Sequence, residues 1–197
     1  TGADSRSTGV ILGVLGFAAL TALGARLSVV LPGTVVPMTL QPVAVLLAGA
    51  VLGSRAGAAS QIAYLAAGAI GLPVFAAGGG AAYLLGPTGG YLLAFPVAAW
   101  IAGLASARSG SWFRAAAWLS LALVVIHAGG LAWLSILSGE SLLSASAVRP
   151  FILGDALKVL LVLAIVRWGP GILRKPTSQQ AWGRGRVSNG RRPKPNR

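Results

Sequence analysis

The chain has 197 residues, of which 16 are Lys or Arg, 3 are Asp or Glu, 1 is His and none is Cys, for a net charge of +13. Only 10% of it is charged and 55% is hydrophobic, whereas a soluble globular domain carries roughly 25% charged residues. That balance excludes an ordinary water-facing surface, the missing cysteines exclude disulfides, thiolate zinc and Fe–S sites, and Asp4, Glu140 and Asp155 alone cannot supply the paired carboxylates of acid–base or metal catalysis.

A bilayer-spanning helix needs about 20 mostly apolar residues, and six segments meet that requirement. In chain order they are Gly9–Val30, Val35–Gly53, Ala56–Leu72, Gly90–Ala107, Trp112–Leu137 and Pro150–Trp168. Several are continuous apolar runs without the alternation of an outer-membrane strand. The expected fold is therefore an all-α integral membrane protein, a bundle of six transmembrane helices. Residues 1–8 precede the bundle, 9–169 form it, and 170–197 make a basic tail. The first span contains Ala22-Leu23-Gly24, which resembles a signal-peptide cleavage site. Its apolar run continues past that point, and Ala18-x-x-x-Ala22 is a small-residue pair suited to close helix contact, so a retained helix is expected.

Cations set the orientation. Arg6, Arg55, Arg108, Arg114, Arg167 and the tail fall on one side, and Glu140 and Arg149 on the other, with Arg26 near the outer end of the first span. By the positive-inside rule both termini are cytoplasmic. Eight of the sixteen cations lie in the 24 residues Arg174 to Arg197, mixed with Pro, Gly, Ser, Asn and Gln. This reads as a disordered topology determinant that touches anionic lipid rather than a nucleic-acid arm.

The links between spans are unequal. Ser54-Arg55 leaves almost no inner loop, so the second and third spans form a tight hairpin. The outer links from Leu31 to Thr39 and from Leu72 to Gly90 are long and rich in Gly and Pro. Irregular backbone near membrane depth is tolerated where it is buried or lines a cavity, which points to a chamber open to the outside. Inside the sixth span, Asp155 and Lys158 share a helical face at i,i+3 spacing. Intramembrane charges are functional by default, although a mutually neutralised pair that glues helices together is the alternative. Thr39 and Gln41 open the second span and can cap it or bond within the bundle. His127, alone in the fifth span, reads as a satisfied core histidine. The three tyrosines and six tryptophans read first as interface anchors or packing. Gly78-Gly79-Gly80 is no phosphate loop, because no Gly-Lys-Ser/Thr follows it.

Five stretches then read as a family: Val36-Pro37-Met38-Thr39-Leu40-Gln41, Val45 to Gly53, Gly71-Leu72-Pro73-Val74-Phe75-Ala76, Leu85-Gly86-Pro87-Thr88-Gly89-Gly90-Tyr91-Leu92 and Gly154-Asp155-x-x-Lys158. From the first span through the sixth the chain closely resembles the BioY family, the biotin-specific substrate-binding (S) components of energy-coupling factor (ECF) transporters. The resemblance implies a six-helix cell-membrane protein that captures biotin from outside. It further implies docking on a transmembrane coupling protein driven by two ABC-type ATPases, so that ATP is used by the partners and this chain needs no cofactor. It selects Gly78, Gly79, Tyr83, Asp155 and Lys158 for the ligand, with Thr39, Gln41 and Tyr91 beside them. Family members commonly continue the glycine run, whereas here Ala81-Ala82 follows. A carboxylate at Asp155 can accept a ureido N–H, and Lys158 can donate to the ureido carbonyl or to the valerate carboxylate. Ala18 and Ala22 are expected to face the coupling protein.

Two other classes were weighed on inventory. An intramembrane serine protease needs Gly-x-Ser-Gly and a His partner, but Gly57-Ala58-Ala59-Ser60 is followed by Gln61. A metal-dependent headgroup transferase needs more carboxylates than one within a span. A non-transporting scaffold, or a binder of another small vitamin-like solute, stays as the alternative.

Overall fold

The structure is a computed structural model that describes residues 2–29, 36–108, 111–139 and 145–168. The tail from 170 onward, the link residues 31–35, Glu140 and the side chain of Arg149 lie outside what it describes.

Among the described residues, seven helices and one two-stranded ribbon run in the order α1 (Gly2–Arg26), β1 (Ser28–Val29), β2 (Met38–Thr39), α2 (Gln41–Leu52), α3 (Ser54–Ala69), α4 (Ala81–Leu84), α5 (Gly89–Arg108), α6 (Trp112–Ser138) and α7 (Ala145–Trp168). The six long apolar segments of the sequence are helical over most of their length, but several boundaries differ: α1 ends at Arg26 rather than Val30, α3 at Ala69 rather than Leu72, and α7 starts at Ala145 rather than Pro150. The second helix starts at Gln41 rather than Val35, because Met38 and Thr39 pair in antiparallel register with Val29 and Ser28. A backbone bonded across to another segment cannot also close helical turns. What remains is 12 residues, about 18 Å of helix at 1.5 Å per residue, against a hydrocarbon core about 30 Å thick. A further difference is α4, a single turn begun by Ala81 and Ala82 where the glycine run ends.

Gly53 joins α2 to α3 with φ of +83°. A residue without Cβ adopts that value freely, so the chain reverses in one step and α2 and α3 form the tight hairpin expected from Ser54-Arg55. α5 lies at the centre, packed against α2, α3 and α6. Its inward stripe Ala98, Ala99 and Ala102 is fully buried, and small side chains of this kind let helix backbones approach closely where lipid supplies no hydrophobic drive. Around that stripe Leu46, Tyr64, Phe75, Phe95, Leu119, Ile126 and Val162 complete one continuous core.

The outside is apolar as well. Ile70, Leu153 and Ile136 are 81%, 74% and 75% exposed, and such residues recur on α1, α5, α6 and α7. A monomer in water rarely presents a continuous apolar surface of that extent. Among the described residues, Ser7–Arg26 and Trp112–Ser138 each reach a mean hydropathy of 2.0 over lengths sufficient to cross a bilayer. This is a helical membrane protein.

Candidate substrate-binding site

Because successive helices alternate in direction, the end of α1 and the starts of α2, α5 and α7 meet at one end of the bundle, together with the connection from α3. Arg55, Arg114 and Arg167, all exposed, lie at the opposite end. The ribbon is held at the first end by its ladder and by the Leu40 N–H donating to the Leu27 carbonyl at 3.1 Å. Met38 reaches across to lie over Gly154 of α7. The short α2 therefore begins below a roof made by the ribbon, and the space between roof and helix start is a cavity.

That cavity is small, about 60 Å³, below the roughly 300–1,000 Å³ usual for small-molecule sites. Its wall is mostly apolar and aromatic, with Tyr83, Tyr91, Phe95 and Phe151 contributing rings and Thr39, Gln41, His127 and Lys158 contributing polar atoms. Five of the residues singled out in the sequence thus meet there: Thr39, Gln41, Tyr83, Tyr91 and Lys158. The elements behind them are braced. Gln41 is buried and its side-chain N–H donates to the Tyr64 hydroxyl at 2.6 Å, while the Thr39 hydroxyl donates to the Gln41 side-chain oxygen Oε1 at 3.3 Å. The Tyr64 ring meets Phe75 edge-on at 5.5 Å, and Phe75 stacks on Tyr83 at 5.0 Å. The Trp133 indole N–H donates to the Gly86 carbonyl at 3.0 Å, which pins the segment before α5 to α6.

Gly78 and Gly79 are not on the cavity wall. Gly78 pairs with Phe75 through two backbone hydrogen bonds of 2.9 and 3.3 Å. A Cβ at Gly79 would come within 2.1 Å of the Leu72 carbonyl oxygen, so only glycine lets the loop fold back here. Both glycines shape the loop that carries Ala76 to the cavity, rather than presenting groups to it.

Asp155 is also off the cavity wall. It lines a separate, open-sided groove between α6 and α7, bounded by apolar residues such as Val124, Leu131, Ile152 and Val159. One Asp155 oxygen accepts from the Lys158 ammonium at 2.9 Å, and the other lies 3.3 Å from Nε2 of His127. Lys158 is therefore on the cavity side, Asp155 on the groove side, and His127 lines both. The groove is the larger space. Its walls are mostly apolar, with Ser120, His127 and Asp155 as their polar members, whereas Thr39, Gln41, His127 and Lys158 meet on the cavity wall.

His127 has partners at both ring nitrogens, as a satisfied histidine would: its Nδ1 is 3.0 Å from the Leu123 carbonyl, Nε2 faces Asp155, and its ring meets Tyr91 and Phe151 edge-on at 6.1 and 5.4 Å. The contact with Asp155 was not readable from sequence, since that carboxylate sits 28 positions later on another helix. Tyr64, which orients Gln41, was likewise hidden among tyrosines that read as packing. On α1, Ala18 and Ala22 are half-buried and packed against the protein's own core. They lie at the edge of that helix's outward face, in one stripe with Ile11 and Leu15, which are 58% and 56% exposed.

Comparison with known proteins agrees with this architecture. The BioY family model matches residues 3–174. A probable biotin transporter BioY of Pyrococcus horikoshii is 43% identical over 150 residues, covering 76% of this chain and 88% of that one. The biotin transporter BioY of Rhizobium etli is 34% identical over 171 residues, 80% of this chain and 90% of that one. A crystal structure of the S-component for biotin from an ECF-type ABC transporter superposes with a TM-score of 0.77 at 30% identity, over 84% of this chain and 92% of that one. The chain belongs to the BioY family.

Proposed function

We propose that this chain is the biotin-binding membrane subunit of an ECF-type uptake system, with the cavity beneath the ribbon as its biotin site. It binds and carries rather than reacts, and is not an enzyme. The observation that carries the reading is the cavity itself: an apolar, aromatic chamber with Gln41, Lys158 and Thr39 on its wall, in a fold shared with a biotin S-component. The thiophane ring and alkyl chain suit the aromatic wall. The ureido group and carboxylate need the few polar atoms, each charge-assisted bond contributing about 1.5–3 kcal/mol.

In this reading the chain spans the cell membrane six times, with 1–8 and 170–197 as cytoplasmic flanks and the cavity on the outer side. Three observations support that orientation. Arg55, Arg114 and Arg167 stand opposite the cavity, the basic tail follows α7, and positive charge favours the cytoplasmic side. ATP-driven energy comes from a separate coupling protein and its ABC-type ATPases. Ile11, Leu15, Ala18 and Ala22 repeat at spacings of four and three, the seam of one helix against another, and form the face offered to the coupling protein. No cofactor is required.

Calorimetric titration of the detergent-purified chain with biotin tests the reading. Saturable one-to-one binding, weakened by Gln41→Leu, is expected. An absence of heat and of thermal stabilisation by biotin would leave a scaffold or a binder of another solute.

A further inference from the structure

We infer that Arg26 is a positioning residue of the proposed biotin site: it straps the ribbon that roofs the cavity to the loop at its side, and so sets how fast ligand passes between them. The inference rests on the biotin reading and adds a residue outside the cavity that acts on its mouth.

Two bodies enclose the cavity. The last turn of α1, the ribbon and the start of α2 make one of them. Leu40 donates its N–H to the Leu27 carbonyl at 3.1 Å, and a Cβ on Gly24 would come within 3.0–3.1 Å of the backbone at Leu40 and Gln41. From this body Met38 and Thr39 reach the cavity wall. The loop between α3 and α4 makes the other. Phe75 is fully buried with its ring against Gly68, where a Cβ would find no room, and the Gly80 N–H donates to the Gly68 carbonyl at 2.7 Å. This loop brings Ala76 to the wall, and Phe75 backs Tyr83 there. The space between the bodies is about 60 Å³, well under the roughly 300 Å³ at which small-molecule sites begin. The bodies must therefore part before a ligand enters or leaves.

The inner contact between them is buried, Gln41 donating to the Tyr64 hydroxyl at 2.6 Å. The outer contact is at the rim, where the Arg26 guanidinium donates to the Pro73 carbonyl. A cation in the last turn of a helix is favoured by the helix dipole alone. Here, however, the side chain leaves its own helix for an acceptor 47 positions away. A guanidinium suits that task, since it stays charged at any working pH and offers five donors on a long arm. The loop needs the donor as well. The Val74 N–H closes a local turn on the Leu72 carbonyl at 2.8 Å, whereas the Pro73 carbonyl finds its donor on α1. Both Arg26 and Pro73 are exposed, so this bond can open while the buried core stays packed.

The test measures rates rather than affinity alone. Tritiated biotin is bound to the intact purified protein and chased with unlabelled biotin, and rapid filtration gives the association and dissociation rate constants. Arg26→Met should raise both by about 3–10-fold, the scale of one hydrogen bond to a charged group. Kd should change far less than either rate, and the unliganded melt should stay close to that of the wild-type protein. Arg26→Lys keeps a cation and a donor and should return both rates most of the way to the wild-type values. A residue that merely supports the fold would instead lower Tm and affinity and would not speed association. Association at the wild-type rate or slower in Arg26→Met overturns the inference while leaving biotin binding intact. Failure of both variants to fold overturns it too, because Arg26 would then be a stability residue. Absence of biotin binding by the wild-type protein overturns the biotin reading itself.

Discussion

Among the described residues Asp155 has two nitrogen partners, the Lys158 ammonium and the His127 ring, whereas Lys158 and His127 each have only one carboxylate. This asymmetry makes an unequal prediction for the two ends of the pair. Replacing Asp155 with Asn strands Lys158, whose side chain is 7% exposed, and His127, at 12%. Breaking a buried pair from one side costs about 3–5 kcal/mol. Replacing Lys158 with Met leaves Asp155 still paired with His127, so the loss is one charge-assisted hydrogen bond, about 1.5–3 kcal/mol. At about 2–4 °C per kcal/mol for a chain of this size, Asp155→Asn should lower Tm by about 6–20 °C without ligand and Lys158→Met by about 3–12 °C. The double variant removes the ammonium together with its carboxylate partner, so its Tm should return most of the way to the wild-type value. Biotin affinity should not return, because the cavity has lost its ammonium. Differential scanning of the purified proteins and titration with biotin measure the two quantities together. Lys158→Met melting below Asp155→Asn would refute the shared-counter-ion geometry. Recovery of biotin binding in the double variant would refute the ligand role of Lys158.

Further outcomes follow from other contacts. Gln41→Leu leaves the Tyr64 hydroxyl without its donor in a residue only 1% exposed, which should cost about 1–3 kcal/mol of stability and weaken biotin binding, read by melting and titration. Gly79→Leu forces a side chain onto the Leu72 carbonyl. The loop must shift, and biotin affinity should fall by about tenfold or more (~1.4 kcal/mol) with a much smaller change in unliganded Tm. Single cysteines can be introduced without background, since the chain has none. An impermeant maleimide applied to intact cells should label Ser138→Cys and not Ser7→Cys, and the reverse pattern would invert the proposed orientation. Replacing Ala18 and Ala22 together with Trp should abolish energised uptake. Because both are packed on the core, the accompanying melt decides whether the loss lies at the docking seam or in the bundle.

Fold class and element order were legible in the amino-acid sequence because both are set by local hydropathy. Lipid admits only segments that satisfy their own backbone bonds, so six long apolar runs could become little else than helices. Gly53-Ser54-Arg55 likewise left no room for anything but a tight reversal. The candidate site was legible in part. Asp155 and Lys158 stood out as intramembrane charges, and Gln41, Thr39, Tyr83 and Tyr91 entered through motifs. Tertiary structure decided the rest. The pairing of Ser28–Val29 with Met38–Thr39 takes a turn and more from α2 and makes the cavity roof, and strand pairing across a loop leaves no periodic signature in either segment. The turn of α7 that points Lys158 into the cavity and Asp155 into the groove depends on how that helix leans on α6 and α2, not on an i,i+3 spacing that is the same in every orientation. His127 acquires its part only because the 28 positions separating it from Asp155 are folded to 3.3 Å. Spacing along a chain can place two groups on one face of a helix, but which space that face looks into is settled by the packing of its neighbours.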